Sequence, residues 1–229
     1  MALLDGPIHT GHPCLSNSLI HQASRIAVRG GNAERHATFA ASTLVGTGGQ
    51  SMGLINRCTL FSIPVMDEAF ASGQLDTLEA ARRVASGIAE AVRQRVDVLQ
   101  LSLAFDPEQG RACEAVVSAL KMAAAHGIVA IVAAGNSTHL GPNPVLQVPA
   151  VVGVMAADAS GCPLAMSVMS PAVGRRGLLA PGFEVPGAIP PSSMGWSTGS
   201  SVAACFVTAA FAMLRCCFPT RSPAEIISA

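Results

Sequence analysis

The 229-residue chain is 50% hydrophobic and only 12% charged, against roughly 25% charged residues in ordinary soluble domains, so several elements should be buried on both faces in a layered α/β fold. Lysine plus arginine and aspartate plus glutamate both number 14, and with no long run of either sign the composition argues against nucleic acid and anionic membrane as partners. The length suits one domain over residues 1–229 with a sizeable core.

The first residues carry neither a basic region nor an apolar stretch of signal-peptide length, so nothing targets the chain for export. Ala2-Leu3-Leu4 reads as a short buried strand, and Asp5-Gly6-Pro7 ends it in a turn. A carboxylate then stands at the strand's C-terminal end, where α/β sheets place their chemistry. Ile8 to Arg35 gives mixed signals, with Ile26-Ala27-Val28 as a strand-like run. His36 to Gly46 predicts a helix of small residues closed by Gly46, with His36 in its first turn. Cys58 to Met66 predicts a central strand that leaves the sheet near Pro64.

From Asp76 to Val96 the apolar residues Leu78, Ala81, Val84, Ile88, Val92 and Val96 recur at helical spacing, with charges between them. Asp97 to Leu103 predicts a strand and Pro107 to Gly127 a second amphipathic helix. Ile128 to Ala134 has no polar residue, as a parallel strand buried on both faces requires, and stops at Gly135-Asn136. This alternation implies right-handed crossovers. Val151 to Met155 reads as another strand, and Ser160 to Ser193, rich in proline and glycine, as surface loop and short strand. Val202 to Leu214 is the most apolar run; it contains Thr208, ends at Arg215 and is too short for the roughly 20 residues of a membrane span, so it predicts a core helix. Ser222-Pro223-Ala224-Glu225 reads as the start of a capped last helix.

The seven cysteines are an odd count without C-x-x-C spacing, and the chain is large enough to need no staples. They read as reduced thiols, small and mostly buried, in a cytoplasmic protein. His9, His12, His21, His126 and His139 are expected at the surface or in loops and are not assigned as ligands.

Four residues stand where chemistry needs them: Asp5 at a strand end, His36 at a helix start, Asn136 at a strand end and Ser201 at the start of the apolar helix. A serine in the first turn of a buried helix sits among unpaired amides and the positive end of the helix dipole, which favour a developing negative charge. An N-cap serine, a turn aspartate and a turn asparagine are the structural alternatives. Ser-His-Asp hydrolysis needs a nucleophile, a base, a buried carboxylate to orient the base, and a donor facing the oxyanion, and these four supply one of each. The chain order Asp, His, Ser differs from that of chymotrypsin and of the α/β-hydrolases.

Asp5-Gly6, His36-Ala37-Thr38, Ala133-Ala134-Gly135-Asn136 and Gly199-Ser200-Ser201-Val202-Ala203 resemble, in order and spacing, the Asp, His, Asn and Ser motifs of subtilisin-like serine proteases. Leu4-Asp5-Gly6-Pro7 with His12-Pro13-Cys14, Val148 to Val154 and Gly177 to Gly182 extend the likeness, in particular to the cyanobactin-maturation proteases, which process ribosomally made precursor peptides. The resemblance implies a three-layer α/β fold with a mostly parallel sheet and helices on both faces. It implies Asp5, His36 and Ser201 as catalytic residues, Asn136 in the oxyanion hole, and Ser102, Leu103, Ala104, Phe105, Ala133, Ala134 and Gly135 along the substrate cleft. Cofactor and metal are both assigned as none, and the substrate as a precursor peptide.

The departures from the family pattern are local. Phe39 replaces the second histidine of His-Gly-Thr-His, and Ala104-Phe105 replaces two glycines at the end of the cleft strand, which should narrow the pocket before the scissile bond. The chain begins almost at Asp5, so an inhibitory pro-segment and much of the N-terminal calcium region are expected to have no counterpart. Without the helical insertion of the macrocyclising relatives, water should resolve the acyl-enzyme. A silent peptide-binding pseudoprotease and a macrocyclising transpeptidase are the rival readings. The apolar composition leaves room for a homo-oligomer or for modification enzymes as partners.

Overall fold

A computed structural model describes residues 1–23, 30–48, 52–103, 110–136, 143–167, 173 and 177–227. Its frame is a sheet of seven strands, β1 (Ala2–Asp5), β2 (Ile20–Gln22), β3 (Leu60–Pro64), β4 (Val98–Leu101), β5 (Val129–Ala133), β6 (Val151–Ala157) and β7 (Leu178–Pro181). They lie in the order β2-β3-β1-β4-β5-β6-β7, every pairing parallel. From β1 the chain crosses to the edge strand β2 and returns to β3 between them, whereas from β4 it builds outward the other way to β7, so the direction reverses between β1 and β4. A crevice at the carboxyl ends of the strands is expected there.

The helices are α1 (Gly31–Val45), α2 (Glu68–Ala71), α3 (Thr77–Arg93), α4 (Gly110–Ala125), α5 (Ser200–Cys217) and α6 (Pro223–Ile227). Alternation along each strand sorts side chains into two cores. Leu4, Leu99, Leu101, Ala130 and Val132 face α3 and α4, whereas Leu3, Val98, Val129, Ile131, Val152 and Val154 face α1 and α5. The fold is therefore the three-layer α/β arrangement that the sequence implied. An antiparallel hairpin of β8 (Val185–Ile189) and β9 (Ser193–Ser197) lies beside α1.

Most boundaries follow local chemistry. Asp76 caps α3 by accepting from the amides of Leu78 and Glu79 at 3.0 and 3.1 Å. Ser222 and Glu225 form a capping box on α6, the Glu225 carboxylate accepting from the Ser222 amide at 2.8 Å.

Several expectations are corrected. The helix α1 starts five residues before His36, at Gly31, so His36 lies in its second turn and not its first. Strand β2, helix α2 and the β8–β9 hairpin were not read from the sequence. His12 lies in a loop but is only 1% exposed: its Nδ1 accepts from the Cys14 amide at 3.1 Å and its Nε2 donates to the Ser193 carbonyl at 2.9 Å. Helix α5 is 18 residues, long and apolar enough by length and composition to cross a membrane. Its apolar residues instead pack on β4, β5, β6 and β7, making it the central helix of one core. The strand-like Ile26-Ala27-Val28 and His139 fall outside the described residues.

Candidate active site

Asp5 is the last residue of β1, two positions after Leu3, so the strand's period turns its carboxylate toward the α1 and α5 layer. It is completely buried. Gly6 then lets the chain pass directly against α1, since a Cβ there would overlap the carbonyl of Ala33. Oδ1 of Asp5 accepts from the Gly6 amide at 2.7 Å and lies 2.8 Å from His36 Nδ1, with Oδ2 at 2.9 Å from the same nitrogen. A buried carboxylate is tolerable because its lone pairs are occupied in this way.

His36 is presented by α1, whose first turn is fixed from a distance. Glu68 of α2 accepts from the Ala33 amide at 2.7 Å, and Arg83 of α3 holds α2 by donating to Asp67 at 2.7 Å. Glu34 accepts from the Gly30 amide at 3.0 Å. With Nδ1 donating to Asp5, Nε2 is left as the acceptor and lies 3.0 Å from Ser201 Oγ. The Asp5 charge is the main cause that raises the His36 pKa above its ordinary value; burial opposes it, and the hydrogen bond to Asp5 adds to it. The imidazole side chain keeps 34% exposure, so a substrate can reach it.

Ser201 is the second residue of α5, where helix amides have no intrahelical partner. The Ser200 amide donates to Asn136 Oδ1 at 2.9 Å, and Ser200 Oγ accepts from the Gly135 amide at 3.1 Å. These two bonds lash the end of β5 to the start of α5. They also orient the Asn136 amide: Oδ1 is engaged, and Nδ2 lies against Gly199, where an added Cβ would meet it at 2.8 Å. Gly199 has φ of 151°, which also favours glycine.

The structure therefore brings Asp5, His36, Ser201 and Asn136 together from four elements or their ends. Of the predicted cleft residues, Ser102 and Leu103 follow β4 and are buried, with Ser102 Oγ accepting from Gln100 Nε2 at 2.9 Å. Ala133 and Ala134 are also buried, and the Ala134 amide donates to Val154 across the sheet. Ala104 and Phe105 fall outside the described residues. Beneath Ser201, Cys205 is fully buried, donates to the Ser201 carbonyl at 3.5 Å, and has its thiol pKa pushed up to about 12 by burial. It is no competing nucleophile.

Sequence reasoning missed Glu68, which steadies the helix of His36, and Ser200, which ties Asn136 to the nucleophile's turn. A carboxylate at an unexpected helix start was the available signal for the first. It also missed a cavity of about 230 Å³ beside His36 and Ser201, walled by Phe39, Ile189, Trp196 and Val202.

A serine hydroxyl on an imidazole, the imidazole on a buried carboxylate, and an amide side chain beside the serine have the geometry of a Ser-His-Asp acyl-transfer site. The chain belongs to the subtilase family of serine peptidases, whose family model matches residues 1–229. It is 28% identical over 225 residues to the major intracellular serine protease of Bacillus subtilis (strain 168), covering 94% of this chain and 67% of that protein. It spans only 58% of the length of subtilisin E from the same strain. Among solved structures, the prenylagaramide maturation protease PagA aligns with TM-score 0.83 at 24% identity, over 99% of this chain and 79% of that one. The patellamide maturation protease PatA aligns with TM-score 0.82 at 25% identity, over 99% and 83%.

Proposed function

We propose that this chain is a serine endopeptidase that cuts a ribosomally made precursor peptide during natural-product maturation. The observation that carries the reading is the continuous contact from Asp5 through His36 to Ser201 at 2.8 and 3.0 Å, in a chain whose fold is shared with two peptide-maturation proteases. His36 Nε2 takes the Ser201 proton as Oγ attacks the peptide carbonyl, and Asp5 stabilises the imidazolium that forms. The Ser201 amide and Asn136 Nδ2 receive the oxyanion. His36 then hands its proton to the leaving amine. Water, activated by the same imidazole, releases the acyl group.

The exposed thiols of Cys162, Cys216 and Cys217 support a reducing compartment, and the cytoplasm is our assignment. As partners the reading includes enzymes that modify the same precursor, or a second copy of the chain.

Intact-mass labelling with a fluorophosphonate tests the proposal. One adduct, mapped to Ser201 and lost in Ser201→Ala, is the expected result. A folded protein that takes no label would leave a peptide-binding protein without turnover.

A further inference from the structure

Gln100 is the only polar residue of β4. It is completely buried, and the residues paired with it across the sheet, Leu3 of β1 and Ile131 of β5, are apolar. A central parallel strand covered on both faces ordinarily carries valine, isoleucine or leucine at such a place, and an amide there must replace its lost hydration with hydrogen bonds. Gln100 replaces only half of it. Nε2 donates to Ser102 Oγ at 2.9 Å and to Cys205 Sγ at 3.4 Å, whereas Oε1 is buried without a partner among the described residues. A buried oxygen left unpaired works against folding, so the glutamine has its reason outside stability.

That reason lies in what Nε2 holds. Cys205 stands on α5 one turn beyond Ser201 and is fully buried. Its sulfur is 3.5 Å from the Ser201 carbonyl and 3.9 Å from the carbonyl of Ala40, which stands on α1 one turn beyond His36. With its pKa pushed up to about 12 by burial, the thiol keeps its proton for one of these carbonyls at neutral pH, while the sulfur lone pairs accept from Gln100. The sulfur is thus a junction beneath the triad, where the helices of the base and of the nucleophile meet β4. A thiol is a weak donor and a weak acceptor, so the junction alone is soft. The Gln100 amide, engaged by Ser102 as well, gives it a definite place on the sheet.

Resting on the protease reading, we propose that Gln100 is a positioning residue for Ser201: through Cys205 its amide fixes the first turn of α5 against β4 and keeps the nucleophile's hydroxyl on His36 Nε2. It touches neither the substrate nor the reacting atoms. The unpaired Oε1 is the consequence of aiming Nε2 at both Ser102 and Cys205.

Gln100→Met keeps the length of the side chain and removes the amide, and Cys205→Ala removes the sulfur. Labelling with a fluorophosphonate, followed against probe concentration and pH, reads the maximal rate at Ser201, the half-saturating concentration and the pH midpoint. Gln100→Met should lower the maximal rate about threefold to tenfold, as the loss of one net hydrogen bond implies. The half-saturating concentration should not change, nor should the pH midpoint, which belongs to Asp5 and His36. Cys205→Ala should lower the rate by a similar factor and the double variant no further, because both act through one contact. A merely structural glutamine would show its loss in urea denaturation and leave the folded variant labelling at the wild-type rate, which would overturn the proposal. Losses that multiply in the double variant, or a moved pH midpoint, would overturn it too. Should Gln100→Met not fold, Cys205→Ala carries the test alone, and a full rate there has the same meaning. Wild-type protein that takes no label removes the protease and this role together, whereas a labelled wild type matched by Gln100→Met removes only the role of Gln100.

Discussion

Asp5 does more than hold a ring in place. Its buried charge is the largest cause of the raised His36 pKa, and the imidazole must be neutral to accept the Ser201 proton. Activity should thus rise with pH through a value above the ordinary histidine value of about 6.5. Asp5→Asn keeps the size and removes the charge. We expect kcat to fall on the order of ten-thousand-fold, as in other Ser-His-Asp sites deprived of the carboxylate, and the acid limb of kcat/KM to move to lower pH. A pH-rate profile with an unmoved midpoint would show that another group governs that limb. Asn136 acts later, only when the oxyanion forms, so Asn136→Ala should lower kcat on the order of a hundredfold to a thousandfold with little change in KM. A loss below about tenfold in the folded variant would remove it from the oxyanion hole.

At the scale of elements, what was legible in the sequence was local. The apolar spacing of α3, the uninterrupted apolar run of β5 and the Asp5-Gly6 turn each declare themselves within one segment. The triad residues were legible because their short motifs keep the family's order, although no local pattern says that Asp5 and His36 touch. The hairpin was not legible, since Pro186 and Gly187 read as breakers; its reason to exist lies across the fold. An added Cβ at Gly187 would come within 2.6 Å of the Phe39 ring, so glycine is what lets β8 lie on that ring. His12 read as a surface or loop residue; its burial in the loop was not legible because its partner, Ser193, is 181 residues away. Gly187→Ala should force the ring or the strand to shift and cost about 1–3 kcal/mol, read by urea denaturation. A neutral result would mean that hairpin and helix can separate freely, and the cavity they share would then be deformable.

Across the whole molecule, the site is also a set of ties: His36 joins α1 to the end of β1 through Asp5 and to α5 through Ser201. The pKa of His36 is raised in the folded state, chiefly by Asp5, so folding favours the imidazolium. Below about 6.5, the unfolded value, this contribution to stability is fully present. It declines as pH rises from there and is lost once the pH passes the raised folded value. Activity runs the other way over the same window, because only the neutral ring is a base; the pH that best holds the molecule together is not the one that best drives the reaction. Self-digestion during unfolding would obscure the effect, so the comparison belongs in a Ser201→Ala background, with and without His36→Gln. Subtracting the two unfolding free energies at each pH cancels the other titrating groups. The histidine protein's advantage should be greatest below about pH 6.5 and shrink as pH rises. A difference that stays flat, or grows with pH, would mean that the Asp5–His36 contact does not favour the charged ring, and the predicted acid limb of the activity would lose its physical cause.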